Sequence, residues 1–428
     1  MPNAETKNGN GQRGSSEKSP FSTPAISLPK GGGAIHGIGE KFGANPVTGT
    51  GSLNVPIATS PGRSGFGPQL SLSYDSGAGN GPFGFGWSLA TPSITRKTDK
   101  GLPRYQDAAE SDVFILSGSE DLVPVLVDEQ GQWSVKSFVR VVQGASYRIQ
   151  SYRPRVEGPF ARIERWSNEA VPSDSFWRSI SRDNITTFYG KTDQSRISDP
   201  ADPRRIFSWM ACESYDDKGN ALVYEYARED SAGVDLSQAH ERNRTALSRS
   251  ANRYLKRIKY GNRTSRLVEP DLSSATWLFE AVFDYGDGHY QALPLDAEAR
   301  QLVLASKDTN WDWPTRQDSF SHHRAGYEVR TYRLCRRVLM FHHFPGDLGV
   351  DDYLVRSTEF AYDEGPVASF ITSATQSGYV RLDDGSYLKK SLPPLEFEYT
   401  KVMVQDDIKE FDAESLENLP VGLDGSQY

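Results

Sequence analysis

In Gln69-Leu70-Ser71-Leu72-Ser73-Tyr74 every second residue is apolar, and this two-residue period returns along the chain in runs broken by Gly, Pro, Asn and Asp. Successive side chains of a strand point to opposite faces, so the period describes a half-buried strand with one face toward water. It recurs in Asp112-Val113-Phe114-Ile115-Leu116, in Phe160-Ala161-Arg162-Ile163-Glu164-Arg165-Trp166 and in Leu395-Glu396-Phe397-Glu398-Tyr399. Further short strands are expected at Ser52 to Ile57 and at Trp87 to Arg96. Turn signals at Asp217-Lys218-Gly219-Asn220, Asp287-Gly288 and Asp384-Gly385 each predict a hairpin. With 38 Gly and 25 Pro beside 20 Tyr, 20 Phe and 8 Trp, the composition favours strands and tight turns over long helices. The expected fold class is mainly β, built of antiparallel sheets and hairpins. Ser237 to Tyr254 departs from this pattern, because it lacks Gly and Pro and follows Asp235 as an N-cap; one short helix is expected near 237–254.

At 428 residues the chain exceeds the size at which one core usually stops growing, so the domain expected over 21–410 is read as subdivided near 100 and 210. Residues 1–20 are polar and rich in Gly, Ser and Asn, and cannot offset the entropy cost of ordering; they read as a flexible leader. Residues 411–428 read as the truncated start of a following domain. A formal charge of −8 offers no broad basic surface for phosphate neutralisation and argues against nucleic acid as the main partner. Cys212 and Cys335 are the two cysteines, too few for a disulfide framework, and the sequence leaves open whether they pair. No stretch approaches the roughly 20 apolar residues of a membrane span, and the N-terminus has no apolar signal region.

Several motifs invite a chemical reading, and each has a plainer one. Gly79-x-Gly81-x-x-Gly84 matches a dinucleotide pattern, but Pro82 interrupts it and Trp87-Ser88-Leu89 follows where a helix should open. A glycine–aromatic turn packing Phe83, Phe85 and Trp87 is expected instead. His322-His323 and His342-His343 are adjacent pairs, and neighbours on a strand face opposite ways, so neither pair makes half of a metal site. Asp284-Tyr285-Gly286-Asp287-Gly288-His289 has oxygen ligands for Ca²⁺ but lacks the rest of a twelve-residue loop, and reads as a turn. Arg356-Ser357-Thr358 with Glu396-x-Glu398 resembles the elements of ADP-ribosyltransferases, yet Glu359 stands where the third member of the Ser-Thr-Ser set belongs. Tyr215-Asp216-Asp217-Lys218-Gly219-Asn220-Ala221-Leu222-Val223-Tyr224 has the form of one Tyr-Asp repeat of RHS proteins, and equally of a β-turn between two strands. No catalytic, cofactor-binding or metal-binding residue is assigned.

Longer strings are more specific. They include Gly37-Ile38-Gly39-Glu40-Lys41-Phe42, Ser60-Pro61-Gly62-Arg63, and Leu70-Ser71-Leu72-Ser73-Tyr74-Asp75-Ser76-Gly77. Gly79-Asn80-Gly81-Pro82-Phe83-Gly84-Phe85-Gly86-Trp87, Arg333-Leu334-Cys335-Arg336-Arg337-Val338-Leu339-Met340-Phe341 and Ser391-Leu392-Pro393-Pro394-Leu395-Glu396-Phe397 continue the series. Together these resemble the SpvB-type N-terminal domain family, shared by a Salmonella-type virulence plasmid toxin and by the B components of Tc insecticidal toxin complexes. The resemblance covers nearly all of residues 25 to 400. It implies a β-sandwich or RHS-shell-like scaffold module of a secreted toxin complex, with A-type channel and C-type RHS/effector components as partners. It supplies no catalytic residues and no cofactor.

The expected function is therefore a non-catalytic structural and interaction module, exported by a non-Sec route from a cytoplasmic pool. Two alternatives stand beside it: an ADP-ribosyltransferase using Arg356, Ser357 and Glu398, and a stand-alone secretion or carrier module for a separately encoded effector. Removing residues 1–20 is expected to leave the melting temperature unchanged, and limited proteolysis to cut there first. Strong protection of Asn8 to Ser16 would contradict the reading of a leader.

Overall fold

The computed structural model describes residues 40–44, 49–117, 120–156, 161–309 and 311–400; the expected leader and the expected start of a following domain, residues 411–428, lie outside them. The chain divides into two compact units, Met1–Glu396 and Phe397–Tyr428. All the described strands belong to the first.

The first strands form a small antiparallel sheet in the order Lys41–Ala44, Gly51–Pro56, Ser71–Asp75 and Trp87–Leu89. Its apolar positions Val55, Leu72 and Trp87 are buried. Thr91-Pro92 separates Trp87–Leu89 from Ser93–Arg96, so the run expected as one strand is two. Proline cannot donate to a ladder, and here it stands at the break.

Ser93–Arg96 enters a closed ring. It pairs with Phe114–Leu116, which pairs with Glu120–Pro124, which pairs with Ala145–Pro154. The ladder continues through Arg162–Asn168, Ser175–Ile180 and Thr186–Tyr189 to Asp202–Tyr215, and Asp202–Tyr215 pairs back onto Ser93–Arg96. The result is an eight-stranded antiparallel barrel, the size at which side chains fill the interior. Every strand sends residues inward: Ile94, Phe114, Leu122, Tyr152, Ile163, Trp177, Tyr189 and Trp209 form one buried cluster. Phe114 and Tyr152 each lie 4.8 Å from Trp177 between ring centroids, at steep angles that favour edge-to-face contact. The 3-10 turn Asp107–Ala109 brings a carboxylate to two interior arginines. Asp107 accepts from Arg96 at 2.6 Å and from Arg165.

The outer face of the barrel is also apolar. Tyr147, Trp166, Phe176, Phe188 and Tyr215 make an aromatic ladder across successive strands, with Trp166 stacked on Phe176 at 5.5 Å. Arg178, Lys191 and Arg266 lie over its rings. This explains a departure from the sequence pattern. In the Ile163-Glu164-Arg165-Trp166 run, Glu164 and Arg165 are buried rather than solvated, because the strand is covered on both faces. Glu164 is held by Arg162, Arg178 and the Trp166 indole N–H.

Beyond Tyr215 the chain turns and builds a second antiparallel sheet from Ala221–Arg228, Arg253–Asn262, Trp277–Asp284, Arg337–His342, Tyr353–Glu364, Ser369–Arg381 and Tyr387–Ser391. Leu302–Ala305 and then Tyr290–Ala292 extend it past Tyr387–Ser391. Val282, Leu339, Phe341, Leu354, Tyr379 and Tyr387 share its core. Hairpins form at Asp217–Asn220 and at Asp384-Gly385, as expected. None forms at Asp287-Gly288. Trp277–Asp284 pairs with Arg253–Asn262 and Arg337–His342 instead, while Tyr290–Ala292 leaves to join Leu302–Ala305.

The helix expected near 237–254 is present as one turn, Ala246–Arg249, whose cap Thr245 accepts from the Ser248 N–H at 3.1 Å. Ala239–Glu241 is a 3-10 turn and Arg253 already starts a strand. Tertiary demands shorten it. Glu241 turns inward to Arg330 and the Tyr332 hydroxyl, and Tyr254 is buried against Tyr285 and Trp313. Propensity alone does not sustain so short a helix against such contacts.

Trp177→Ala is expected to cost about 3–5 kcal/mol in chemical denaturation, since the indole fills the barrel centre. Phe42→Ala, at a ring 65% exposed, should change stability by less than about 0.5 kcal/mol.

Candidate functional site

The glycine–aromatic turn is a structural joint. Asn80–Gly81 and Gly84–Phe85 pair as a minimal hairpin. Gly84 and Gly86 have φ of +87° and +81°, the left-handed region glycine adopts freely; a Cβ on Gly84 would lie 2.5 Å from the Ser369 carbonyl oxygen, and one on Gly86 would strike the Tyr74 ring. Arg316, fully buried, donates to the Gly81 carbonyl at 2.7 Å and to the Asn80 side-chain oxygen at 2.8 Å, and forks onto Asp318. Asp318 also accepts from Asn80 and from the Ser369 hydroxyl. Burial would raise the Asp318 pKa, but these donors, Arg316 foremost, hold it down at about 2. The backbone here is spent on protein contacts: Pro82 accepts from the Cys335 N–H and Gly79 from the Gly86 N–H.

Arg356 and Ser357 of the transferase reading do not share a face. Arg356 and Ser357 are neighbours on the strand Tyr353–Glu364, where successive side chains face opposite ways; Arg356 is exposed and Ser357 buried. The Ser357 hydroxyl lies 2.8 Å from the Tyr379 hydroxyl and donates to Glu359, which also receives Lys389 at 2.7 Å. Burial would raise the Glu359 pKa, yet Lys389 outweighs it and keeps the carboxylate ionised. Glu396 is exposed, as the alternation predicts, and Glu398 is an exposed residue of the second unit.

The histidine pairs separate as well. His342 packs against Phe279 and lies 2.6 Å from the Ser60 hydroxyl, whereas His343 sits between Glu280 at 3.2 Å and Asp352 at 2.8 Å. Burial disfavours the His343 cation, but the Glu280 carboxylate prevails and raises its pKa. His323 is exposed, and His322 is half-buried near Phe207. Among the described residues no three His, Cys, Asp or Glu side chains come together as a metal site. In the Asp284–His289 turn the protein supplies its own cations: Arg337 meets Asp284 at 2.5 Å and Lys256 meets Asp287 at 2.5 Å. Cys212 and Cys335 are both free and buried.

One cleft of about 890 Å³ is lined by Gln143, Lys191, Glu213, Tyr224, Glu225, Lys259 and Trp277, among others. Sequence reasoning missed it, because its walls come from six separated segments. Four of its charges are paired, Lys191 with Glu213 at 3.1 Å and Lys259 with Glu225 at 2.8 Å, and Arg266 also meets Glu213 at 2.8 Å; Asp271 accepts from the Ser273 N–H instead. Cys212 is among its lining residues, and burial pushes the thiol pKa up, away from the nucleophilic thiolate. The cleft can receive a polar segment, but its side chains are arranged to hold one another.

A side-chain-filled antiparallel barrel running into an antiparallel wall, with its buried charges matched, defines the class: a β-rich scaffold module. Comparison with known proteins agrees. Residues 45–344 match the model for SpvB, the Salmonella virulence plasmid 65kDa B protein. Mono(ADP-ribosyl)transferase SpvB of Salmonella choleraesuis (strain SC-B67) is 38% identical over 359 residues, 82% of this chain and 56% of that protein. The chain thus spans about half the length of the relatives it matches. The N-terminal domain of the effector SpvB from Salmonella typhimurium strain LT2 superposes with a TM-score of 0.67 at 37% identity, over 76% of this chain and 98% of that one. TcdB2-TccC3 superposes with a TM-score of 0.72 at 34% identity, over 89% of this chain and 18% of that one. The chain belongs to the SpvB family.

Asp318→Asn leaves the buried Arg316 without its counter-charge and is expected to cost about 3–5 kcal/mol at neutral pH. The folded pKa lies below the unfolded one, so the native carboxylate stabilises fully above about pH 4, and this is lost as pH falls toward 2. Urea unfolding across that range should give a shallower pH slope for the variant than for the parent.

Proposed function

We propose that this chain is a non-catalytic structural and interaction module of a secreted bacterial toxin complex, contributing to the β-rich shell or carrier of a Tc-type toxin. The observation that carries this reading is the superposition of 89–90% of the chain on TcdB2-TccC3 and on the Photorhabdus luminescens Tc holotoxin pore, at TM-scores of 0.72 and 0.71. Its partners are then A-type channel and C-type RHS/effector components. Export follows a non-Sec route from a cytoplasmic pool; no described helix is long and apolar enough to cross a membrane.

The transferase reading draws on the name of the Salmonella relatives, of which this chain covers 56%. Against it stand the opposite orientations of Arg356 and Ser357 and the engagement of Glu359 by Lys389. Catalysis at that strand would need those side chains to meet one substrate in a water-excluding cleft.

Two assays test the reading. Co-expressed with a C-type component, the chain should co-elute with it in size exclusion. Purified alone, it should neither hydrolyse NAD nor label actin, and Glu398→Gln should change neither measurement. NAD turnover that vanished in Glu398→Gln would overturn the scaffold reading.

A further inference from the structure

The strand Ser137–Val142 differs from every other long strand: all six of its residues are exposed. Its ladder runs on one side only, to Ala145–Pro154. Val139 is 58% and Val141 67% exposed, Phe138 and Val142 are exposed beside them, and the preceding hairpin presents Trp133 at 67%. Sheet proteins ordinarily protect such an edge with proline, a bulge or several charges. Here there is no proline and no register shift, and only Arg140 interrupts the apolar residues.

The turn fixes which backbone groups face out. Gln143 and Gly144 have φ of +50° and +82°, the two-residue hairpin form in which Val142 and Ala145 close the ladder as a hydrogen-bonded pair. Alternation then leaves the N–H and C=O of Val139 and Val141 pointing away from Ala145–Pro154. These groups form a free template for another strand.

Charge narrows the occupant. Residues 130–156 carry Lys136, Arg140, Arg148, Arg153 and Arg155 and no carboxylate, in a chain of net charge −8. Among the described residues no acid lies within ion-pair distance of Lys136, Arg140 or Arg153, while Arg148 has Glu169 at 3.3 Å and Arg155 only a distant Asp121 at 3.9 Å. A second copy pairing along this edge would bring Lys136 and Arg140 of each chain to one ladder, with the cations of Ala145–Pro154 behind them, and like charges across a ladder destabilise it. We propose that the outer edge of Ser137–Val142 is a docking edge that takes an added β-strand from a partner polypeptide, an extended segment in which apolar and acidic side chains alternate. The added strand bonds the outward groups of Val139 and Val141, lays apolar side chains beside theirs, and places a carboxylate by Arg140 on the other face. This goes beyond the shell reading, since it requires no particular complex.

The test is fluorescence anisotropy of the full chain with a labelled Glu-Val-Glu-Val-Glu-Val-Glu peptide, beside its Lys-for-Glu counterpart. Saturable binding of the acidic peptide, about tenfold or more tighter than the basic one and weakened by salt, is the expected result. Val139→Pro and Val141→Pro remove outward N–H groups while sparing the existing ladder, and each should abolish binding with an unchanged circular dichroism spectrum. Should a proline variant misfold, Arg140→Glu provides the second arm and should reduce or reverse the charge preference. Absence of saturable binding, or binding indifferent to Arg140→Glu and to the folded proline variants, overturns the proposal. So does a dimer in sedimentation velocity that Val139→Pro dissolves, which would make the occupant a second copy. Co-elution with a C-type component is scored separately, so failure here leaves the shell reading standing.

Discussion

Arg316 shows the constraint on which the rest of the structure depends: once a guanidinium is buried, its partners must be in place, because an uncompensated buried charge costs several kcal/mol. Its fork joins Asn80 and Gly81 to Asp318, and Asp318 reaches on to Ser369, so three segments far apart in the chain are held at one point. The device is repeated. Arg333 and Glu229 are both fully buried and paired, Asp107 bridges Arg96 and Arg165 at the barrel, and Lys256 meets Asp287 behind the second sheet. Each ties down a loop or turn residue that apolar packing alone would leave free to slide. Directional donors at fixed distances specify register where a greasy contact does not.

Within this frame the barrel and the open wall solve the edge problem differently. The eight-stranded ring pairs its strands all the way round and so leaves no ladder unfinished. Its interior is filled by one or more large side chains from each strand, and its exterior by an aromatic ladder capped with Arg and Lys. Asp202–Tyr215 belongs to both structures, pairing with Ser93–Arg96 in the ring and with Ala221–Arg228 in the wall. The wall is thus joined through one continuous strand to a closed core.

Several carboxylates and a histidine of the motifs singled out in the sequence are engaged within the fold. Glu359 receives Lys389 and three hydroxyls, His343 is set between two carboxylates, and the carboxylates of the Asp284–His289 turn are met by Arg337 and Lys256. Membership of the SpvB family, with superposition on both the SpvB N-terminal domain and TcdB2-TccC3, agrees with one scaffold serving in different toxins. Among the described residues the edge strand Ser137–Val142 pairs on one side and is exposed along its whole length.

The sequence by itself determined the strand class, the hairpins at Asp217–Asn220 and Asp384-Gly385, the glycine–aromatic turn at Gly79 to Trp87, and the family. These are local properties: period-two alternation, positive φ and long ungapped strings are written in neighbouring residues. Only the tertiary structure decided that Glu164 and Arg165 are buried, since alternation cannot reveal a strand covered on both faces. It also decided that Asp287-Gly288 ends a strand without making a hairpin, and that Ser237–Tyr254 yields one helical turn, because the competing partners lie far off in the chain. Barrel closure, the Arg316 clamp and the bare edge at Ser137–Val142 have the same origin. Each depends on which distant strand, if any, arrives alongside, and no local pattern encodes that.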